Sequence, residues 1–326
     1  MKRINIGLLG LGNIGTGTYK VLEMNRAHIE KTTGLNLEIT KILEIDTERD
    51  RGIAIDPGKF TQDPRDILDD PGIDIVIELL GGIEPASSFM HTALKAGKHV
   101  VTANKAAVAA NFELLTETAE KNGALLRYEA SVGGGIPLIN AITTALAANE
   151  FSELLGILNG TTNYILTKMT EEDRSYEEVL KEAQEKGFAE ADPTGDVEGY
   201  DVANKLSILV SLVFGERVLP DDIPTTGVSG ITKADIENAE EAGCVIKLLA
   251  SAFRDDEGVH CFVQPTMLNK QHPLADVPGE FNALFLKGNA VDDLMFYGKG
   301  AGPFPTASAV LGDVIGIAKE IKRESK

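Results

Sequence analysis

With 326 residues, 43% of them hydrophobic, the chain is long enough to bury two domain cores rather than one. A formal net charge of −19, with no cluster of Lys and Arg, excludes a nucleic-acid or anionic-membrane surface as partner. No apolar run is long enough to cross a bilayer, and Cys244 and Cys261 lie in apolar stretches that read as core thiols, so a reducing, cytoplasmic location is expected.

Ile4 to Leu9 is a short apolar run ending in glycines, and Ile14, Thr18, Val21 and Leu22 follow it at helical spacing. This is strand, turn, helix. Further strands are predicted over 37–45, 73–79, 99–102 and 124–128, with helices in PASSFMHTALKAG and FELLTETAEKNG between the later ones. Strands alternating with helices predict an α/β domain with a doubly wound, Rossmann-like parallel sheet. The Gly133–Gly135 run changes the texture and marks the main boundary. The expected division is 1–133 with 303–326 as a dinucleotide-binding domain, and 134–302 as an α+β substrate-binding and dimerisation domain.

In the second domain the sequence predicts a helix over 137–148, a strand over 154–158, and helices starting at Thr161 and Tyr176, the latter with a Ser175/Glu178 capping box. From Asp201 to Phe214, apolar residues at 202, 206, 209, 210 and 213 predict a buried helix whose first turn carries charge. The segments CFVQPTML, FNALFLKG and DLMFYGKG read as antiparallel strands, and a last helix, over 306–322, is expected to pack back on the first domain.

The motif GLGNIG spaces Gly10, Gly12 and Gly15 so that a strand can turn tightly into a helix while the backbone approaches a pyrophosphate. With Asn13 and Ile14 these residues form the expected nicotinamide-dinucleotide turn, the phosphates sitting at the positive helix end. Asp46, after the second strand, suits a ribose 2′-hydroxyl and hence NAD. Arg49 and Arg51 suit the extra phosphate of NADP. The balance leans to NAD.

Lys105, in VVTANK, follows a buried strand at the sheet end where ligands of such folds gather. In GFAEADPTGDVEGYDVANK, Asp201 and Lys205 lie four apart on one helix face, and the turn before them can bring Glu190 over the helix start. A charge pair at the head of a buried helix needs a functional reason. The five histidines show no paired ligand spacing, which argues against a histidine metal site.

Taken in order, GLGNIG, IELLGG, GKHVVTANK, EASVGGGIP, ILNGTTNYIL, GFAEADPTGDVEGYDVANK and GKGAGPFPTASAVLGD resemble the blocks of homoserine dehydrogenase over nearly the whole chain. The resemblance implies an NAD(P)-dependent oxidoreductase that interconverts L-homoserine and L-aspartate 4-semialdehyde in threonine and methionine biosynthesis, as a homodimer. It implies that Lys205 moves the proton at the substrate oxygen, with Lys105 close to cofactor and substrate. It further implies that Glu190 and Asp201 hold the substrate ammonium, that Asn159, Gly160 and Thr161 line the cleft, and that Gly187 and Gly302 approach the cofactor. Glu129, Val132, Gly134 and Ile136 match a loop that in relatives binds a monovalent cation, usually sodium. Relatives commonly carry a C-terminal regulatory domain, so threonine feedback through one is not expected here.

On the residues alone three other readings stay open: another amino-acid or sugar dehydrogenase on the same scaffold, a metal-dependent hydrolase using the acidic stretch, and a non-catalytic nucleotide sensor. The hydrolase leaves GLGNIG unexplained, and the sensor predicts cofactor binding without turnover.

Overall fold

The computed structural model describes residues 2–324. Backbone contacts divide the chain into two units, Met1–Gly135 with Gly302–Lys326, and Ile136–Ala301. The first is built on a parallel sheet of β1 (Lys2–Leu9), β2 (Leu35–Leu43), β3 (Phe60–Thr61), β4 (Ile75–Glu78), β5 (His99–Thr102) and β6 (Leu126–Arg127), in the order β3-β2-β1-β4-β5-β6. Its helices are α1 (Asn13–Thr33), a short α2 (Arg65–Leu68), α3 (Ala86–Lys95), α4 (Lys105–Lys121) and the C-terminal helix Pro303–Glu324.

Alternation along the strands sorts two cores. Ile4, Ile6, Leu8, Ile75, Ile77 and Val101 face α1 and the C-terminal helix, while Leu9, Val76 and Val100 join Met90, Leu94 and Leu115 on the other face. Strands buried on both sides read as the near-continuous apolar runs found in the sequence. Strand order reverses between β1 and β4, both joined in register through Leu9↔Glu78. Doubly wound sheets bind ligands at the carboxyl ends of strands at such a switch point. The C-terminal helix packs on α1 closely enough that a Cβ at Gly17 would lie 2.5 Å from Pro303 O.

The second unit is an antiparallel sheet, β11-β10-β7-β8-β9, made of β7 (Phe151–Ile157), β8 (Cys244–Asp255), β9 (Gly258–Asn269), β10 (Phe281–Gly288) and β11 (Asp292–Lys299). Its helices are α5 (Gly160–Glu172), α6 (Tyr176–Glu185), α7 (Thr194–Val197), α8 (Tyr200–Phe214) and α9 (Lys233–Glu241). The Ser175/Glu178 capping box on α6 forms as expected. Pro265 sits in β9, an edge strand, where the missing N–H removes no ladder bond from a central position.

Several expectations change. The helix predicted over 137–148 is a single π turn, Ala141–Ala145. The run Ile142, Thr143, Thr144 is β-branched, and the Thr143 hydroxyl donates to Ile139 O (2.7 Å), competing with a regular ladder. The helix read from FELLTETAEKNG begins earlier, at Lys105, and kinks at Asn111. Strand β8 and helix α9 were not predicted. Cys244 and Cys261 are free and half-buried on neighbouring strands rather than core residues. Among the described residues no helix is long and apolar enough to cross a membrane.

One charge lies inside the second unit's helix–sheet layer. Lys247, on β8, is 5% exposed and donates to Asn163 Oδ1 (3.0 Å) and Val277 O (2.7 Å). Burial lowers its pKa from 10.5 to about 8. The folded state therefore releases this proton before the unfolded state does, so stability rises with pH between those values. Urea unfolding should show wild type gaining up to about 3 kcal/mol relative to Lys247→Met across that window. Parallel pH profiles for the two proteins would refute this.

Candidate active site

In the first unit the turn after β1 has the geometry a pyrophosphate needs. Gly10 has φ +94°, and a Cβ there would lie 2.9 Å from Leu79 O. A Cβ at Gly15 would lie 2.2 Å from Gly10 O, whereas Gly12 opens onto free space. Gly12 caps α1 without any side-chain hydrogen bond, so the N–H groups of Asn13, Ile14 and Gly15 have no side-chain cap and lie at the positive end of the helix. A cavity of about 370 Å³ begins at this turn, lined among others by Gly12, Asn13, Lys20, Arg49 and Arg51. The turn fits a dinucleotide: the close-packed glycines shape it and Gly12 leaves room for the phosphates.

The loop after β2 differs from its sequence reading. Glu44 accepts from Leu11 N in the glycine turn (3.0 Å) and pairs with Arg51 (3.2 Å). The Arg51 guanidinium, 5% exposed, also donates to Leu11 O, Arg49 O and Asp46 O (2.9, 2.9 and 2.8 Å). Arg51 is thus a brace for the loop. Asp46 is exposed and accepts from Arg49 N (3.1 Å). Beside it, Ile45 is 84% exposed.

On the other side of the switch point, Lys105 is the first residue of α4, capped by Asn104, whose side-chain oxygen accepts from Ala107 N (3.1 Å). A lysine at the positive end of a helix dipole is placed against local electrostatics. Such conflicts mark functional positions. Glu129 and Val132 are buried in and after the turn following β6, with Gly134 next and Ile136 opening the second unit. Among the described residues, no group of three or more His, Cys, Asp or Glu could hold a metal. Gly302 precedes the C-terminal helix and accepts from Thr306 N (3.1 Å).

In the second unit the acidic stretch folds around α5 and α8. Asn159 caps α5, its side-chain oxygen accepting from Thr162 N (2.9 Å). Its amide then points at two carboxylates, donating to Asp196 Oδ1 (2.7 Å) and Asp201 Oδ2 (3.0 Å). Gly160 starts the helix, and Thr161 donates to Phe188 O (2.7 Å) and Asp196 Oδ2 (3.3 Å). Lys205, 8% exposed, donates to Asp201 Oδ2 (2.7 Å) and Leu158 O (2.6 Å). An ammonium has three N–H groups, so one remains for a ligand oxygen.

Asp196 is the residue the sequence reading missed. It is a member of the same DPTGD turn, one of several acids there with no motif spacing to single it out. Burial, then the neighbouring Asp201, raises its pKa above 3.8. Asn159 thus sets the Asp196 and Asp201 carboxylates side by side, anionic partners of the kind a cationic ligand group takes. Glu190 is not part of this cluster: it is exposed, its backbone oxygen accepts from Gln184 (3.1 Å), and its side chain has no hydrogen bond or ion pair among the described residues. Gly187, which follows α6, bonds through its N–H to Gln184 O (3.0 Å).

The family models described as "Homoserine dehydrogenase, NAD binding domain" and "Homoserine dehydrogenase" match residues 10–129 and 137–315. The chain belongs to the homoserine dehydrogenase family. It is 43% identical to the homoserine dehydrogenase of Bacillus subtilis over 99% of this chain and 74% of that one, and 43% identical to that of Synechocystis sp. over 96% and 73%. The crystal structure of a homoserine dehydrogenase from Thiobacillus denitrificans superposes with a TM-score of 0.94 at 42% identity, covering 99% of this chain and 75% of that one. Accordingly it is an oxidoreductase that uses a nicotinamide cofactor to interconvert L-homoserine and L-aspartate 4-semialdehyde, and the resemblance read from the motifs holds.

For this homoserine dehydrogenase the glycine turn makes a differential prediction. Gly15→Ala should lower stability by about 1–3 kcal/mol, because the new Cβ meets backbone. Gly12→Asn, which keeps a good helix cap and meets no neighbouring atom, should change stability by less than about 0.5 kcal/mol while weakening dinucleotide binding at least tenfold. Thermal melts and a cofactor titration of the two variants check it; equal effects on stability would count against the reading.

Proposed function

We propose that Lys205 moves the proton at the substrate hydroxyl while Asp201 and Asp196 hold the substrate ammonium, with NAD preferred over NADP. The observation that carries this is the cluster in which Asn159 gathers the Asp196 and Asp201 carboxylates beside Lys205, whose ammonium has one N–H beyond its bonds to Asp201 and Leu158 O. When bound, the nicotinamide takes or gives the hydride. In the oxidative direction a neutral Lys205 Nζ takes the hydroxyl proton; in the reductive direction Nζ returns it. Asp201 and Leu158 O aim Nζ, and Asn159 holds both carboxylates in place, so the groups need no reorganisation on binding. Lys105 acts near cofactor and substrate, and the exposed Glu190 adds a further anion for the ammonium from outside the cluster.

The lean to NAD is supported by the loop after β2. Glu44 and Asp46 are anionic, Ile45 offers no charge to a 2′-phosphate, and Arg51 is committed to Glu44 and three carbonyls. Lys20 and Arg49 line the same cavity and favour the other outcome. Glu129, with the carbonyls of Val132, Gly134 and Ile136, offers hard oxygen donors of the kind sodium takes. The protein is read as a cytoplasmic homodimer formed through the second unit, whose sheet carries the exposed Phe253, Met267, Met295 and Tyr297.

Nicotinamide absorbance with L-homoserine tests the set. Lys205→Met should lower kcat by about 100- to 10,000-fold, and the wild-type oxidative rate should rise toward alkaline pH. Asp201→Asn and Asp196→Asn should each raise the KM for homoserine by about 10- to 100-fold. Because the Asp196 carboxyl titrates above 3.8, it loses its charge while ordinary carboxylates remain ionised, so KM should climb as the pH falls toward that value from above. A tenfold higher kcat/KM with NADP than with NAD would overturn the cofactor preference. Full turnover by Lys205→Met would remove Lys205 from its role.

A further inference from the structure

At the carboxyl end of β4, Glu78 is 0% exposed, and among the described residues it has no salt bridge. Burial pushes its carboxyl above the ordinary carboxylate range. A lone buried acid is retained only when something needs it. Both of its oxygens are used: Oε1 accepts from Leu80 N (2.7 Å) and Oε2 from the Thr102 hydroxyl (2.6 Å). A glutamine has one acceptor oxygen and could not serve both.

The second bond sets the direction of a chain. With its proton committed to Glu78, Thr102 Oγ1 offers only lone pairs elsewhere, and one of them accepts from Asn104 N (2.9 Å). The Asn104 amide donates to Leu80 O (3.3 Å) and Gly82 O (2.7 Å), tying the same loop that Glu78 holds through Leu80 N. The Asn104 side-chain oxygen caps α4 at Ala107 N, and Lys105 is the first residue of that helix. The first link joins groups fixed on adjacent strands, since Glu78 and Thr102 are partners in the β4–β5 register.

We infer that Glu78 is a positioning residue for Lys105: its two oxygens orient the Thr102 hydroxyl and the loop after β4, and through Asn104 they fix where α4 begins and where its first lysine points. The negative charge of Glu78 also lies on the sheet end where a lysine at a helix N-terminus adds positive charge, which eases that placement. This inference rests on the reading that Lys105 serves the reaction.

The test is a set of steady-state measurements on the full chain with L-homoserine and cofactor. Lys105→Ala, Glu78→Gln and Thr102→Val should each lower kcat/KM by about 10-fold or more, while Thr102→Ser, which keeps the hydroxyl, stays within about threefold of wild type. Adding Glu78→Gln to Lys105→Ala should cost less than about a further twofold, because the second change removes support for a group already gone. Multiplying losses, or wild-type activity in Glu78→Gln beside an impaired Lys105→Ala, would overturn the inference. An unimpaired Lys105→Ala would instead overturn the role of the lysine, and the inference with it. Should Glu78→Gln fail to fold, the contrast of Thr102→Val with Thr102→Ser, alone and on Lys105→Ala, decides the question.

Discussion

The arrangement on which the chemistry proposed for the second unit depends is the burial of one ammonium against two carboxylates at the head of α8. Removing such charges from water costs several kcal/mol per ion unless other groups replace the lost hydration. Here the replacements are specific: the Leu158 carbonyl for Lys205, the Asn159 amide for Asp201 and Asp196, and the Thr161 hydroxyl for Asp196. They come from the end of β7 and the start of α5, so the strand–helix junction ILNGTT and the distant acidic turn form one structure. The pair is weak evidence for stability. What it offers is a directed N–H beside two carboxylates, as the proposed proton transfer and ammonium binding require.

The two units meet the same general demand, holding a charged ligand, by different physical means. In the first, the positive end of α1 and its backbone N–H groups suit phosphates, and glycine is needed because side chains would fill the space or strike backbone. In the second, side-chain charges do the work and their positions depend on caps and tertiary hydrogen bonds. This difference explains which half was easier to read.

The glycine turn, the strands β1, β4 and β5 and the parallel order were legible because each is local: an apolar run, a spacing, a turn. So was the pair Asp201 and Lys205, four apart on a helix. Asp196 was not legible, since its significance comes from an Asn159 amide 37 residues away, and no periodicity reports that. Arg51 looked like a phosphate ligand from its charge, yet its partners Glu44 and Leu11 O make it a brace, a fact that exists only once the loop is folded. The failed helix over 137–148 has a local cause that could have been weighed: the Ile-Thr-Thr run favours the side-chain bond made by Thr143. Strand β8 was overlooked because β8, buried over most of its length, lacks the alternation that identifies half-solvated strands.

The C-terminal helix belongs to the nucleotide-binding unit although 166 residues separate it from the rest of that unit. It supplies Ala307, Val310, Leu311, Val314 and Ile317 to the core beneath β1, and Lys322 reaches back to Thr33 O (2.9 Å). During synthesis, then, one flank of the parallel sheet is covered by α1 alone until residues 303–324 emerge, long after the strands themselves have been made. The antiparallel unit in between has all its segments available earlier and can close first. The chain's order of manufacture thus inverts its order of reading: the portion begun first is finished last, and its unclosed apolar flank is where a chaperone would have most to do.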